Sequence, residues 1–104
     1  MIIYNVTINV EDAIRKEWLE WMRTTHIPDV IATGAFKNAR ICRVLVEEEM
    51  GGTTYSVQYL APDRQSLEAY YGEHAARLRQ EVTDRYGDRL VAFRTELEII
   101  SEHE

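Results

Sequence analysis

The side chains best suited to proton transfer or ligand binding at neutral pH are two histidines, His26 and His74, and two tryptophans, Trp18 and Trp21. An imidazole ordinarily titrates near neutrality, and burial lowers its pKa, so a histidine facing a core or cavity is neutral and free to accept or donate a proton. His74 falls among Tyr70, Tyr71 and Leu78 in an apolar stripe, so its ring is expected to meet the core or a cavity within it. There it serves either as a base or ligand anchor or, more commonly, as a hydrogen-bonded core histidine. His26 lies one turn after Met22 at the edge of another stripe, where a histidine either reaches a ligand or complements the carboxyl-end dipole of a helix. Trp18 and Trp21 could wall a small-molecule pocket, with an indole N–H donating to a ligand oxygen, or fill the space over a sheet. Trp18, Trp21, His26, Tyr70 and His74 make up the candidate pocket, and no residue is assigned a catalytic role.

Other chemistries find little footing. The three histidines have no metal-type short spacing, and His103 sits in the tail, so no metal is expected. Haem would need an axial ligand such as His74 with nothing local to mark the site, and no cofactor is expected. Cys42 alternates with Arg40 and Val44 on a strand, has no activating neighbour, and reads as a small packing residue. The chain carries 12 Lys and Arg against 18 Asp and Glu, a formal charge of -6, which disfavours nucleic acid and anionic membranes as partners. No stretch approaches the ~18 apolar residues of a membrane span, and Met1 to Glu11 has no basic region followed by an apolar run. A cytoplasmic location is expected.

The elements that must position these residues follow from periodicity. With 104 residues, 45% hydrophobic and 29% charged, the chain suits one domain over residues 1–104, with 101–104 a flexible acidic tail. Area scaling gives about 6,100 Å² exposed when folded against about 17,700 Å² unfolded, enough burial to fold without a disulfide or metal. Ile2 to Val10 alternates as a strand, and Glu11 to His26 spaces Ile14, Trp18, Trp21, Met22 and Thr25 as a helix that His26-Ile27-Pro28 is expected to break. Phe36 to Glu48 reads as a second strand, Met50-Gly51-Gly52 as a hairpin loop, and Thr53 up to Pro62 as a third strand. Asp63 caps a second helix with Leu67, Tyr70, Tyr71, His74, Leu78 and Val82 on one face, ended by Gly87. Leu90 to Ile100 is the last strand, with Val91, Phe93, Thr95, Leu97 and Ile99 on one side and Arg94, Glu96 and Glu98 on the other.

The order βαββαβ is that of an α+β ferredoxin-like sandwich: a four-stranded antiparallel sheet with two helices on one face. Its other face is expected to be bare and polar, displaying Asn5, Thr7, Asn9, Ser56, Gln58, Arg94 and Glu96 to solvent or to a second sheet. Such sheets can stack RNA bases on exposed aromatics, but Tyr55 and Tyr59 share their side with Val57 and are assigned to the helix-covered core.

The opening Met1-Ile2-Ile3-Tyr4-Asn5-Val6-Thr7, the Trp18-Leu19-x-Trp21-Met22 run with His26-Ile27-Pro28, Ala32-Thr33-Gly34-x-Phe36, His74-Ala75 and Phe93-Arg94-Thr95 together resemble an uncharacterised bacterial family, the domain of unknown function 4286. That resemblance implies a dimeric α+β barrel, in which two ferredoxin-like sheets face one another, and hence a homodimer through the polar sheet face. The wider superfamily includes cofactor-free monooxygenases, small isomerases and haem enzymes, so fold analogy says little about chemistry. The function expected is small-molecule binding, with turnover as a cofactor-free monooxygenase or isomerase on an aromatic or enolisable ligand. The alternative is a non-catalytic binding or interaction module. A cavity of several hundred Å³ reached by both histidines favours turnover, and a dry, filled core favours the alternative.

Overall fold

Strand β1 (Ile2–Val10) turns Ile2, Tyr4, Val6, Ile8 and Val10 into the core and leaves the alternate residues half-buried on the opposite side, as its period-2 pattern requires. The computed structural model describes all residues 1–104. β1 lies between β3 (Thr53–Ala61) and β4 (Leu90–Glu98), β2 (Asn38–Arg43) borders β3, and the sheet order is β2-β3-β1-β4 with every pair antiparallel. Two helical layers cover one face of this ferredoxin-like sheet. Tyr55 and Tyr59 are buried beneath them, as expected. No helix is long and apolar enough to cross a membrane.

The register corrects the sides assigned to β4. Residues directly opposite one another share a face, and Val6 pairs with Arg94, Tyr4 with Glu96, and Ile8 with Ala92. Arg94 and Glu96 therefore stand on the helix-covered side, while Val91, Phe93, Thr95 and Leu97 join Asn5, Thr7 and Asn9 on the free face. The apolar set points away from the core because the helices bury β1 and β3 and leave the outer half of β4 uncovered. Arg94 and Glu96 are exposed on one side, and Phe93 is 61% exposed on the other.

The first helical layer also departs from its pattern. Helix α1 (Arg15–Trp21) runs through a π-helical turn, Met22–His26, into α2 (Ile27–Ala32), so Pro28 does not end the helix. The Ile27 N–H bonds the Met22 carbonyl five residues back, and Pro28 falls in the first turn of α2, where a missing N–H and a fixed φ are tolerated. The wide turn rephases the stripe. Thr25 is exposed, and His26 and Ile27 take the half-buried positions.

The second layer repeats the device. Asp63 accepts a hydrogen bond from the Ser66 backbone N–H at 2.8 Å and starts α3 (Arg64–Tyr70). A π-turn, Tyr71–Ala75, leads into α4 (Ala76–Tyr86), which stops at Gly87 with φ 58°. The buried positions step from Tyr70 to Ala75, five residues, so Ala75 takes the inward place expected of His74.

β2 is shorter than the run Phe36 to Glu48. Phe36 is buried from a loop, stacked among Tyr4, Tyr59 and Tyr70, and residues 44–49 leave the ladder after the Val44 N–H bonds the Thr54 carbonyl. Gly52, at φ 77°, is required in the hairpin: a Cβ there would meet the Asn9 Oδ1 at 2.5 Å. β4 ends at Glu98, short of Ile100, with the Ile99 N–H still bonded to the Met1 carbonyl.

Candidate functional site

A cavity of about 40 Å³ lies between the two helical layers and the sheet, on the side where the layers approach β4. Trp18, Met22 and His26 wall it from the first layer, Tyr70, Leu78 and Arg79 from the second, and Tyr4, Val57, Tyr59 and Arg94 from the sheet. The volume admits roughly two or three water molecules. It is smaller than the several hundred Å³ that would favour turnover, and only one of the two histidines reaches it.

His26 is that histidine. It sits at the end of the first π-turn, where the extra residue rotates it toward the sheet. Burial pushes its pKa down to about 4, opposed by the Asp29 carboxylate and reinforced by the Arg94 guanidinium, so the imidazole is neutral at pH 7. Its Nδ1 is buried without a hydrogen-bond partner, and so is the indole Nε1 of fully buried Trp18. No polar or charged residue is buried as a whole, so these two atoms stand out in an otherwise apolar interior.

Trp21 does not line the cavity. Its ring stacks on His26 at 5.1 Å and 25°, contacts Tyr86 edge-on, and lies 5.3 Å from the Arg85 guanidinium carbon. Arg85 is fixed in turn by Glu17 at 2.6 Å, and that hydrogen bond holds the Glu17 carboxyl below its usual range. Trp21 thus braces His26 from behind, setting the plane of its ring. Tyr70 lines the cavity, its hydroxyl pushed up to about 12 by burial, and burial likewise raises Tyr59. Both phenols stay protonated at neutral pH.

His74 lies outside the cavity. The second π-turn carries its ring to the flank of the helix, 6.3 Å from Tyr70, with Nδ1 3.2 Å from an Arg77 nitrogen and Nε2 3.8 Å from Glu73. Its ring is neither core nor fully exposed. Cys42 is exposed on the free face, and His103 meets Ser101 in the tail. Nowhere do three or more His, Cys, Asp or Glu side chains gather as metal ligands would.

Besides aliphatic side chains, the lining contains Tyr4, Tyr59, Arg79 and Arg94, none of them in the candidate pocket read from the sequence. Alternation puts Tyr59 in the core and Tyr4 on the side of β1 opposite Asn5, Thr7 and Asn9, but neither beside a cavity. Arg79 follows inward Leu78 on α4, and its Nη2 donates to the Tyr4 hydroxyl at 3.0 Å. Arg94 alternates with inward Leu90 and Ala92, a signal available once those residues are taken as the core side of β4. Neutral imidazole, indole N–H, protonated phenols and guanidinium groups suit recognition of a flat molecule with polar edges.

Several solved structures share this fold. A protein from Arabidopsis thaliana, At3g17210, is 12% identical over 100% of both chains, with a TM-score of 0.72. A dimeric ferredoxin-like protein from an uncultured marine organism is 14% identical, covering 98% of this chain and 97% of its own, at 0.66. An ethyl tert-butyl ether d (EthD) family protein from Bacillus halodurans is 15% identical, covering 91% and 97%, at 0.65. At these identities the likeness establishes fold alone. No curated protein matches the sequence. The family described as domain of unknown function (DUF4286) matches residues 1–100, and the chain belongs to it.

Proposed function

We propose that the protein binds a small aromatic or enolisable molecule in the cavity between its helices and sheet, without turning it over. The observation that carries this reading is the pair of unpartnered buried atoms, Trp18 Nε1 and His26 Nδ1, on residues lining one cavity. An unmade buried hydrogen bond costs about 1–3 kcal/mol, which a ligand's oxygen or hydroxyl recovers on binding. Turnover as a cofactor-free monooxygenase or isomerase gains no support from His26, since a base held near pKa 4 is poorly matched to proton abstraction at pH 7.

A thermal-shift screen of aromatic and enolisable metabolites tests the reading. A ligand at a hundred times its Kd adds about 2.7 kcal/mol of stability. That gain is expected to vanish in Trp18→Phe, which keeps an aromatic ring but removes the N–H, and in His26→Ala. A ligand held equally well by both variants overturns the assignment.

The assembly proposed with it is a homodimer joined through the free sheet face. Val91, Phe93 and Leu97 form an exposed apolar border beside polar Asn5, Thr7 and Asn9, which suits an interface more than open solvent. The total surface of 6843 Å² also exceeds the roughly 6,100 Å² usual at this mass. Such a dimer leaves the cavity, on the opposite side of the sheet, accessible. Light scattering should give twice 12.2 kDa and Phe93→Asp should halve it, whereas a mass of 12.2 kDa persisting at high concentration sinks the proposal.

A further inference from the structure

The cavity wall nearest β4 carries two guanidinium groups, Arg79 from α4 and Arg94 from β4. Five of the other eight arginines find carboxylates: Arg23 pairs with Glu20, Arg64 with Glu96, Arg77 with Glu81, Arg85 with Glu17 and Arg89 with Glu11, while Arg15, Arg40 and Arg43, away from the cavity, pair with none. Arg79 and Arg94 form no ion pair, although the chain carries 18 acidic residues against 12 basic ones. Glu96 makes this pointed. It stands on the same face of β4, two residues beyond Arg94, and is the obvious partner. Instead Arg64 Nη1 holds its Oε1 at 2.8 Å and the Tyr71 hydroxyl donates to its Oε2. These bonds keep the Glu96 carboxyl ionised and occupied. Arg79, for its part, donates to the Tyr4 hydroxyl. Two unneutralised cations thus border an apolar hollow whose competing carboxylate is tied elsewhere.

We propose that Arg79 and Arg94 form a carboxylate subsite and that the ligand is a small aromatic acid, its ring against Trp18, Met22 and Val57. This rests on the reading of the cavity as a small-molecule site and names the ligand class. Guanidinium matches carboxylate in shape and charge, and such hydrogen bonds are about twice as strong as neutral ones. A benzene-sized guest needs on the order of 150 Å³, more than the 40 Å³ present, so entry requires a lining group to move. Arg79, long, exposed and held only at the Tyr4 hydroxyl, is able to do so. Swinging from Tyr4 to the incoming carboxylate enlarges the hollow and exchanges an uncharged acceptor for an anionic one.

Titration calorimetry with benzoate, its neutral isostere benzamide and inorganic phosphate tests the proposal on the full chain. Benzoate is expected to bind about tenfold or more tightly than benzamide. Arg94→Gln and Arg79→Gln should abolish the preference for benzoate over benzamide, and Arg77→Gln, outside the cavity, should preserve it. Benzamide binding as tightly as benzoate overturns the carboxylate subsite and leaves the cavity reading intact. Phosphate competing as well as benzoate overturns the aromatic half. Failure of both rings to bind overturns the cavity reading and this inference together.

Discussion

The two helical layers contain the same irregularity and put it to different use. Each runs α-helix, π-turn, α-helix, and each π-turn holds a histidine, His26 at the end of Met22–His26 and His74 within Tyr71–Ala75. In the first, the extra residue rotates His26 over the cavity, where its Nδ1 is buried and unpartnered. In the second, it rotates His74 to the flank and gives the inward place to Ala75. A π-turn is therefore not a site in itself. It shifts the helical phase by one residue, and its position relative to the histidine decides which way the ring faces.

The sharpest contrast comes from the tryptophans preceding the first turn. Trp18 is fully buried against Tyr55, whereas Trp21 covers His26 from the half-exposed side. Trp18→Ala is expected to destabilise the fold by about 3–5 kcal/mol, since little can collapse into the space of a buried indole. Trp21→Ala should cost less, about 1–2 kcal/mol, while loosening His26. Urea denaturation with both variants checks the order. Equal losses would mean that Trp21 is as much a core residue as Trp18.

The next effect separates the histidines by pH. His26 has a folded pKa of about 4 against an ordinary 6.5, with burial as the main cause. The unfolded chain therefore binds the proton first as pH falls. The stability His26 contributes is fully present above pH 6.5 and is lost progressively down to about pH 4, in total on the order of 3 kcal/mol. Urea midpoints measured between pH 4 and 7 should fall more steeply in the parent than in His26→Phe, which has no proton to bind. A slope unchanged in that variant would place the acid sensitivity elsewhere.

Much of the fold was legible because alternation and turn chemistry act locally. The bounds of β1 and β3, the Gly51-Gly52 hairpin, the Asp63 cap and the Gly87 stop all depend on neighbours within a few residues. Alternation also divided β4 correctly into two sets, yet it cannot say which set is inward. An apolar set normally faces the core, and Val91, Phe93 and Leu97 break that rule because an uncovered face lies beside them. That inversion concealed Arg94 and hence half of the cation pair. The π-turns were hidden for another reason: each lies in sequence that reads equally well as plain α-helix. Pro28, and the five-residue step from Tyr70 to Ala75, were the traces available.

The smallest effect tests the other half of the comparison. A buried histidine replaced by glutamine loses about 1–3 kcal/mol when a buried hydrogen bond goes unmade, and plain helical spacing predicts such a place for His74. Its side chain is instead 29% exposed, beside Arg77 and Glu73 on its own helix, with both partners open to water. Solvent replaces those contacts, so His74→Gln should change stability by no more than about 0.5 kcal/mol. Ligand affinity should not change either, because the ring does not touch the cavity. A melt and a calorimetric titration on this one variant are sufficient. A loss of binding with the melting temperature preserved would show that the second π-turn also communicates with the site, and the asymmetry between the two layers would have to be abandoned.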